Sequence, residues 1–235
     1  MANAYRRRRV VTMIMSLLIL GVALIINHPF DQPHAQKPTT QSNSVSSATS
    51  PAIDALKTLA VKGRAPKTDY TREQFGAGWN TIQGCDTRNI ILNRDLTDVK
   101  VDENCNVTKG TLNDPYTGKI IAFVRGSTTS GDVQIDHVVA LSDAWQTGAQ
   151  LLSKEKRTEL ANDPLELLAV DGPANQQKSD GDAATWLPPN KAFRCQYVTR
   201  QIAVKQKYAL WVTQAEHDTI QSILQSCPSQ TLPKV

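Results

Sequence analysis

The chain is short of the side chains that carry most chemistry. Only four of its 235 residues are histidine and only four are cysteine. The cysteines, Cys85, Cys105, Cys195 and Cys227, form no C-x-x-C pair, which argues against a structural zinc site. His28 and His34 precede the folded body, and His217 reads as an exposed or capping residue. His137 is left as the one strong base in the folded body. Acid is missing at the start: residues 1–30 hold no Asp or Glu, while Arg6 to Arg9 supply four positive charges. Without those four, 22 of the 26 basic residues remain against 22 acidic ones. The body is therefore near neutral, which argues against a protein that coats nucleic acid through bulk charge and requires any such affinity to come from a local patch.

The four arginines precede an apolar run, Val10 to Ile26. A basic segment followed by an apolar one means export or membrane insertion. The run is shorter than the roughly 20 residues that span a bilayer and longer than a usual signal core of about 7–15. No small-x-small cleavage site is clear, since Pro33-His34-Ala35 is a poor match. Two readings stay open: an anchor that keeps residues 10–26 in the membrane, and a cleaved signal. Either places the rest of the chain outside the cytoplasm. Residues 31–50, rich in Pro, Gln, Ser and Thr, cannot bury a core and read as a disordered linker. The expected organisation is a signal peptide or anchor over 1–30, linker over 31–50 and one folded domain over 51–235. No protein partner is evident. Export favours disulfides. Three pairings are possible; the nearest-neighbour one, Cys85–Cys105 with Cys195–Cys227, is the one expected, its loops of about 20 and 30 residues each contributing about 3–4 kcal/mol in the chain-entropy account.

Along the body, Ser50 and Pro51 suit a helix start, and Ile53, Leu56, Leu59 and Ala60 follow at helical spacing up to Gly63. Asp86 or Thr87 caps a predicted helix running to Leu96. Arg88 and Arg94 lie on it, as ion-pair partners or as phosphate contacts, and Arg88 is kept as a candidate substrate contact. Short strands are predicted at 99–101, 107–112 and 120–124, separated by turn residues. Tyr70, Phe75 and Trp79, set among Gly76 and Gly78, predict a packed loop or short helix, with stacking on a base as the alternative. Asn190 caps a helix toward Trp211, and Thr213 caps another toward Cys227.

The most informative stretch runs from Val133 to Asp182. It reads as strand, excursion, strand, a turn at Asp171-Gly172-Pro173, then a short polar helix over Ala174 to Lys178. Asp136 and Asn175 are oxygen donors of the kind that hard divalent cations accept beside water and substrate phosphate. Alternation along a strand sends His137 to the face opposite Asp136 unless the strand ends or twists there, so a strand end is expected, with His137 turned toward the site. Asp180 and Asp182 read as solvating residues of the following loop, or as further metal donors.

Several segments form one pattern in order: Asp136-His137 with VVALSDAW, Ala161-Asn162-Asp163-Pro164-Leu165, Leu168 to Gly172, and Ala174-Asn175-x-x-Lys178. Gly84 to Arg88, Arg94-Asp95-Leu96 and Asp114 to Gly118 lie upstream, and Trp186 to Pro189 with Phe193-Arg194-Cys195 lie downstream. This series resembles the HNH (ββα-metal) endonuclease motif, and in particular DUF1524-type secreted bacterial HNH proteins, over roughly Leu56 to Cys227. The last metal-ligand position holds Asn175 in place of His.

The resemblance implies an α+β fold: a small antiparallel sheet with a ββα-metal catalytic core and flanking helices. It implies a metal-dependent hydrolysis of nucleic-acid phosphodiesters, DNA ahead of RNA. His137 is the implied general base, and Asn162 the residue whose amide fixes the loop between the two strands. Asp136 and Asn175 are the implied ligands of one divalent metal, magnesium ahead of manganese or zinc. Lys178, one helical turn beyond Asn175, would meet a phosphate. Two other functions stay open: a noncatalytic envelope or binding module retaining the fold, and a hydrolase of another phosphodiester.

Overall fold

The computed structural model describes residues 51–233; the apolar run at 10–26 and the linker at 31–50 lie outside them. Local chemistry sets the helix starts. Pro51, with its fixed φ, opens α1 (Pro51–Lys57). The Asp86 carboxylate accepts from Asn89 N at 2.7 Å and caps α2 (Thr87–Asp95). α3 is Leu141–Gln146, and Ser153 caps α4 (Lys154–Asn162). Asp171 accepts from Ala174 N at 2.8 Å and caps α5 (Gly172–Lys178). α6 (Arg194–Lys207) follows a turn capped by Asn190. Thr213 and Glu216 close a reciprocal capping box on α7 (Gln214–Gln225). Among the described residues no helix is long and apolar enough to cross a membrane.

The strands form three small antiparallel sheets: β1 (Thr81–Ile82) with β2 (Cys85–Asp86), β3 (Leu96–Val101) with β4 (Val107–Asn113) and β5 (Ile120–Val124), and β6 (Val133–His137) with β7 (Leu167–Asp171). The protein is thus α+β with small antiparallel sheets, and the β6–β7 pair is a sheet of its own. In that pair Ile135 faces Ala169 and His137 faces Leu167 across the ladder.

All five residues of β7 are buried, because the hairpin separates two hydrophobic cores. Val133, Ile135, Leu167 and Ala169 pack with Ile91, Leu92, Leu112 and Phe123. Leu168 and Val170, on the other face by strand alternation, join the larger core of Tyr116, Val138, Leu160, Tyr197, Ile202 and Ile220. The turn from β7 into α5 is tight: a Cβ on Gly172 would fall 2.1 Å from the Gly131 carbonyl oxygen.

Disulfides join Cys85 to Cys105 and Cys195 to Cys227. The first ties the entry of α2 to the turn between β3 and β4; the second ties α6 to the end of α7. Both arginines of α2 donate to backbone carbonyls. Arg94 donates to the carbonyls of Pro164 and Leu167, each at 2.7 Å, and so holds α2 against the start of β7. Arg88 donates to the Val133 carbonyl at 3.3 Å, at the start of β6.

A buried ionic network fastens α3, α6 and α7. Lys205, with a fully buried side chain, lies 3.3 Å from Asp143 and 2.7 Å from Glu216, while Arg64 bridges Asp143 and Asp182 at 2.8 Å each. Burial lifts the Glu216 carboxyl to about 7 against the pull of Lys205. Asp182 is buried and also accepts from Ala184 N and Thr185 N, so it is a turn cap and ion-pair partner and not a solvating loop residue. Removing Lys205 leaves two buried carboxylates without their shared cation. Lys205→Met is expected to lower unfolding free energy by about 3–5 kcal/mol, read from urea denaturation; a change below about 1 kcal/mol would contradict this role.

Candidate functional site

β6 ends at His137, and its last two side chains leave on opposite faces. Asp136 turns toward the larger core. Tyr116 donates its hydroxyl to Asp136 Oδ2 at 2.5 Å, and Lys178 donates its ammonium to Oδ1 at 2.9 Å and to the His137 carbonyl at 2.8 Å. Burial pushes the Asp136 carboxyl up, opposed by Lys178 and by the Tyr116 hydroxyl. Burial and the neighbouring Asp136 charge hold the Tyr116 phenol well above its usual range, so it remains a donor.

His137 turns the other way. Its Nε2 lies 3.0 Å from the carbonyl of Ala161, in the last turn of α4. A carbonyl oxygen can only accept, so Nε2 carries the hydrogen and Nδ1 of the neutral ring holds a free lone pair. The ring stacks on Trp79, with centroids 5.7 Å apart and planes 6° apart. Burial first, then the nearby positive charge of Arg72, pushes the imidazole down to about 3, so it is neutral at neutral pH.

Asn162, next to Ala161, braces the segment that carries Trp79. Its Oδ1 accepts from Asn80 N at 2.8 Å, and its Nδ2 donates to the carbonyls of Gly78 and Thr158. Its amide therefore ties the chain before β1 to the excursion between β6 and β7, on which it lies itself as the last residue of α4. By that route it keeps Trp79 flat against His137.

Asn175 donates from Nδ2 to Gln134 Oε1 at 2.9 Å. Gln134 in turn offers its own amide nitrogen to the Gly131 carbonyl, which fixes both amide orientations and leaves Asn175 Oδ1 free to accept.

Two clefts meet at His137. One, of about 180 Å³, is lined by Arg72, Phe75, Gly78, Trp79, Leu141 and Ala161. The other, of about 370 Å³, is lined by Lys67, Arg72, Asp136, Ser142, Asn175 and Asp180. Asp136, His137 and Asn175 thus border the same cleft. Lys178 and Arg88, expected at phosphates, are elsewhere: the Lys178 ammonium is fully buried against Asp136, and Arg88 is held at the start of β6. Asp180 is exposed and pairs with Lys67 at 3.1 Å.

The donor set at this cleft is one carboxylate and one amide oxygen. Among the described residues, no group of three or more His, Cys, Asp or Glu side chains converges as a metal site. The pair fits a hard divalent cation that keeps water and substrate phosphate as its remaining ligands. It is a weak set, because Lys178 already neutralises Asp136. Tyr116, Trp79 and the Ala161 carbonyl are site components whose roles have no local sequence signal, although Tyr116 lies within Asp114 to Gly118, Ala161 opens the Ala161 to Leu165 segment and Trp79 belongs to the aromatic, glycine-rich stretch.

Residues 86–223, more than half of the chain, match the family model described as "GmrSD restriction endonucleases, C-terminal domain". The chain is also 36% identical over 214 residues to a protein of Arthroderma benhamiae described as an "Uncharacterized secreted protein"; the match covers 90% of this chain and 98% of that one.

If Asn162 holds Trp79 in place, Asn162→Ala should lower stability by about 1–3 kcal/mol, the range for leaving buried groups unpaired. It should also shift the fluorescence contribution of Trp79, isolated by difference against Trp79→Phe. An unchanged Trp79 spectrum would show that the loop does not depend on this amide.

Proposed function

The chain belongs to the family of GmrSD restriction endonuclease C-terminal domains, and on that premise we propose that it is an exported, metal-dependent endonuclease of the HNH type that hydrolyses nucleic-acid phosphodiesters, DNA ahead of RNA. The observation that carries this reading is the state of His137: a neutral imidazole at a strand end, its Nε2 hydrogen bound to the Ala161 carbonyl, with both clefts beside it. The two disulfides fit an oxidising, extracellular location, and the name of the Arthroderma benhamiae relative points the same way.

The chemistry assigned to the side chains is general-base hydrolysis. Nδ1 of His137 takes a proton from water, and the hydroxide oxygen forms a bond to phosphorus as the bond to the 3′-oxygen breaks. A proton from solvent completes the leaving alcohol. At rest the imidazole is a weak base; an arriving phosphodiester brings negative charge beside it and raises its affinity for the proton. The Ala161 carbonyl and Trp79 hold the ring so that this nitrogen stays turned outward. Asp136 and Asn175 would hold one divalent cation, magnesium ahead of manganese or zinc. Bound there, the cation supplies positive charge for the phosphate oxygens. Tyr116 and Lys178 are positioning residues, since both are buried and hold Asp136.

One observation favours a second reading. Both Asp136 oxygens are already satisfied inside the protein, as they would be in a noncatalytic module that retains the fold. Plasmid nicking by the purified full chain separates the two. With Mg²⁺ or Mn²⁺, and not with EDTA, the parent is expected to nick DNA, and His137→Ala to nick about 100-fold more slowly or worse with its thermal unfolding little changed. Equal nicking by His137→Ala would remove this mechanism. No cleavage of DNA or RNA by a folded parent would support the noncatalytic module.

A further inference from the structure

Of the two cations expected at phosphates, Lys178 is buried and Arg88 is half-buried against backbone carbonyls, and neither borders the two clefts at His137, so the site lacks an assigned contact for substrate charge. The structure supplies a different one. Arg72 opens a short turn, Arg72–Phe75, that lies directly over α4. The turn is held tightly. Phe75 is buried, edge-on to Trp145 and Tyr70. Arg157 of α4 donates to the Gln74 carbonyl at 2.9 Å and to the Gln74 side-chain oxygen at 3.1 Å. Gly76, at φ +107°, closes the turn where a Cβ would press on Thr158 at 3.0 Å. The same helix presents the Ala161 carbonyl to His137, so the Arg72 turn and the base share one rigid support.

Arg72 itself is exposed, and its guanidinium holds no hydrogen bond or ion pair among the described residues. With His137 and Leu141 it borders both clefts. The only other cation lining either cleft is Lys67, and that ammonium is paired with Asp180 at 3.1 Å. An unpaired guanidinium on a fixed turn, beside the base and open to both clefts, matches the forked recognition of phosphate oxygens.

We propose that Arg72 is a substrate-binding residue that contacts a backbone phosphate of the nucleic acid next to the bond facing His137. The proposal rests on the nuclease reading for what lies in the cleft, but it can be tested without catalysis. Binding of the full chain to a 5′-fluorescein 20-base-pair DNA duplex is measured in EDTA by anisotropy across a salt series. The variants are Arg72→Gln, Arg72→Lys, and Lys57→Gln as an equal charge loss on α1, bordering neither cleft. Losing one phosphate contact reduces the slope of log affinity against log salt by about 0.9 on duplex DNA. Arg72→Gln is expected to show that reduction, and Arg72→Lys and Lys57→Gln to keep the parent slope. Thermal unfolding, run alongside, should be unchanged in Arg72→Gln because the side chain is exposed. A parent slope in Arg72→Gln, the same loss in Lys57→Gln, or no duplex binding by the parent would overturn the proposal. Plasmid nicking is scored separately. Absent nicking with an Arg72-dependent slope removes the catalytic reading and leaves the phosphate contact standing. Normal nicking with an unchanged slope removes the contact alone.

Discussion

The structure depends on how one buried carboxylate is kept. Asp136 sits among apolar side chains, where an unpaired charge would be costly. Its two oxygens are held by an ammonium from α5 and a phenol from the turn between β4 and β5. Each partner comes from a separate stretch of chain, and each has a buried stem. The carboxylate therefore fixes three elements against one another. Lys178 adds a second bond to the His137 carbonyl, so the backbone at the end of β6 is held by the same group. His137 then projects from a fixed point to the opposite side, where the Ala161 carbonyl selects its tautomer.

The hairpin that carries these residues is a wall between two cores. A strand buried on both faces tolerates no slip in register, since a one-residue shift would exchange the two sets of side chains. That rigidity suits a site at its end, because a base must be held closely to its working geometry. The larger core brings Tyr116 and Tyr197 to the Asp136 face. The smaller core brings Trp79 to the His137 face. The support for the base thus comes from the second core and α4, and the support for the carboxylate from the first.

Much of this was legible in the sequence. The strand–strand–helix order over 133–178 is visible because a turn, Asp171-Gly172-Pro173, separates an apolar run from a polar helix. The caps at Asp86 and Thr213 are local signals and lie where their side-chain chemistry puts them. Needing Asp136 and His137 to serve one site predicts a strand end at His137; β6 does end there, but the ring still leaves on the face opposite Asp136. The roles that were not legible all depend on tertiary contact. Lys178 is one helical turn from Asn175, but whether it faces solvent or core is decided by where α5 lands. Asn162 lies on the excursion between the strands, yet its amide reaches a segment some eighty positions earlier. Asp182 has the composition of a solvating loop and is buried because Arg64 meets it. Arg72 carries no pattern at all; its place beside His137 comes from the packing of its turn on α4.

The account turns on the state of the His137 imidazole, and ¹⁵N NMR reads that state directly. Long-range ¹H–¹⁵N correlation spectra of the ¹⁵N-labelled chain, with the His137 signals assigned by their loss in His137→Gln, distinguish the tautomers at neutral pH. The account predicts hydrogen on Nε2, an unprotonated Nδ1, and no titration until the pH falls toward about 3. Hydrogen on Nδ1, or titration near the usual histidine value of about 6.5, would contradict it.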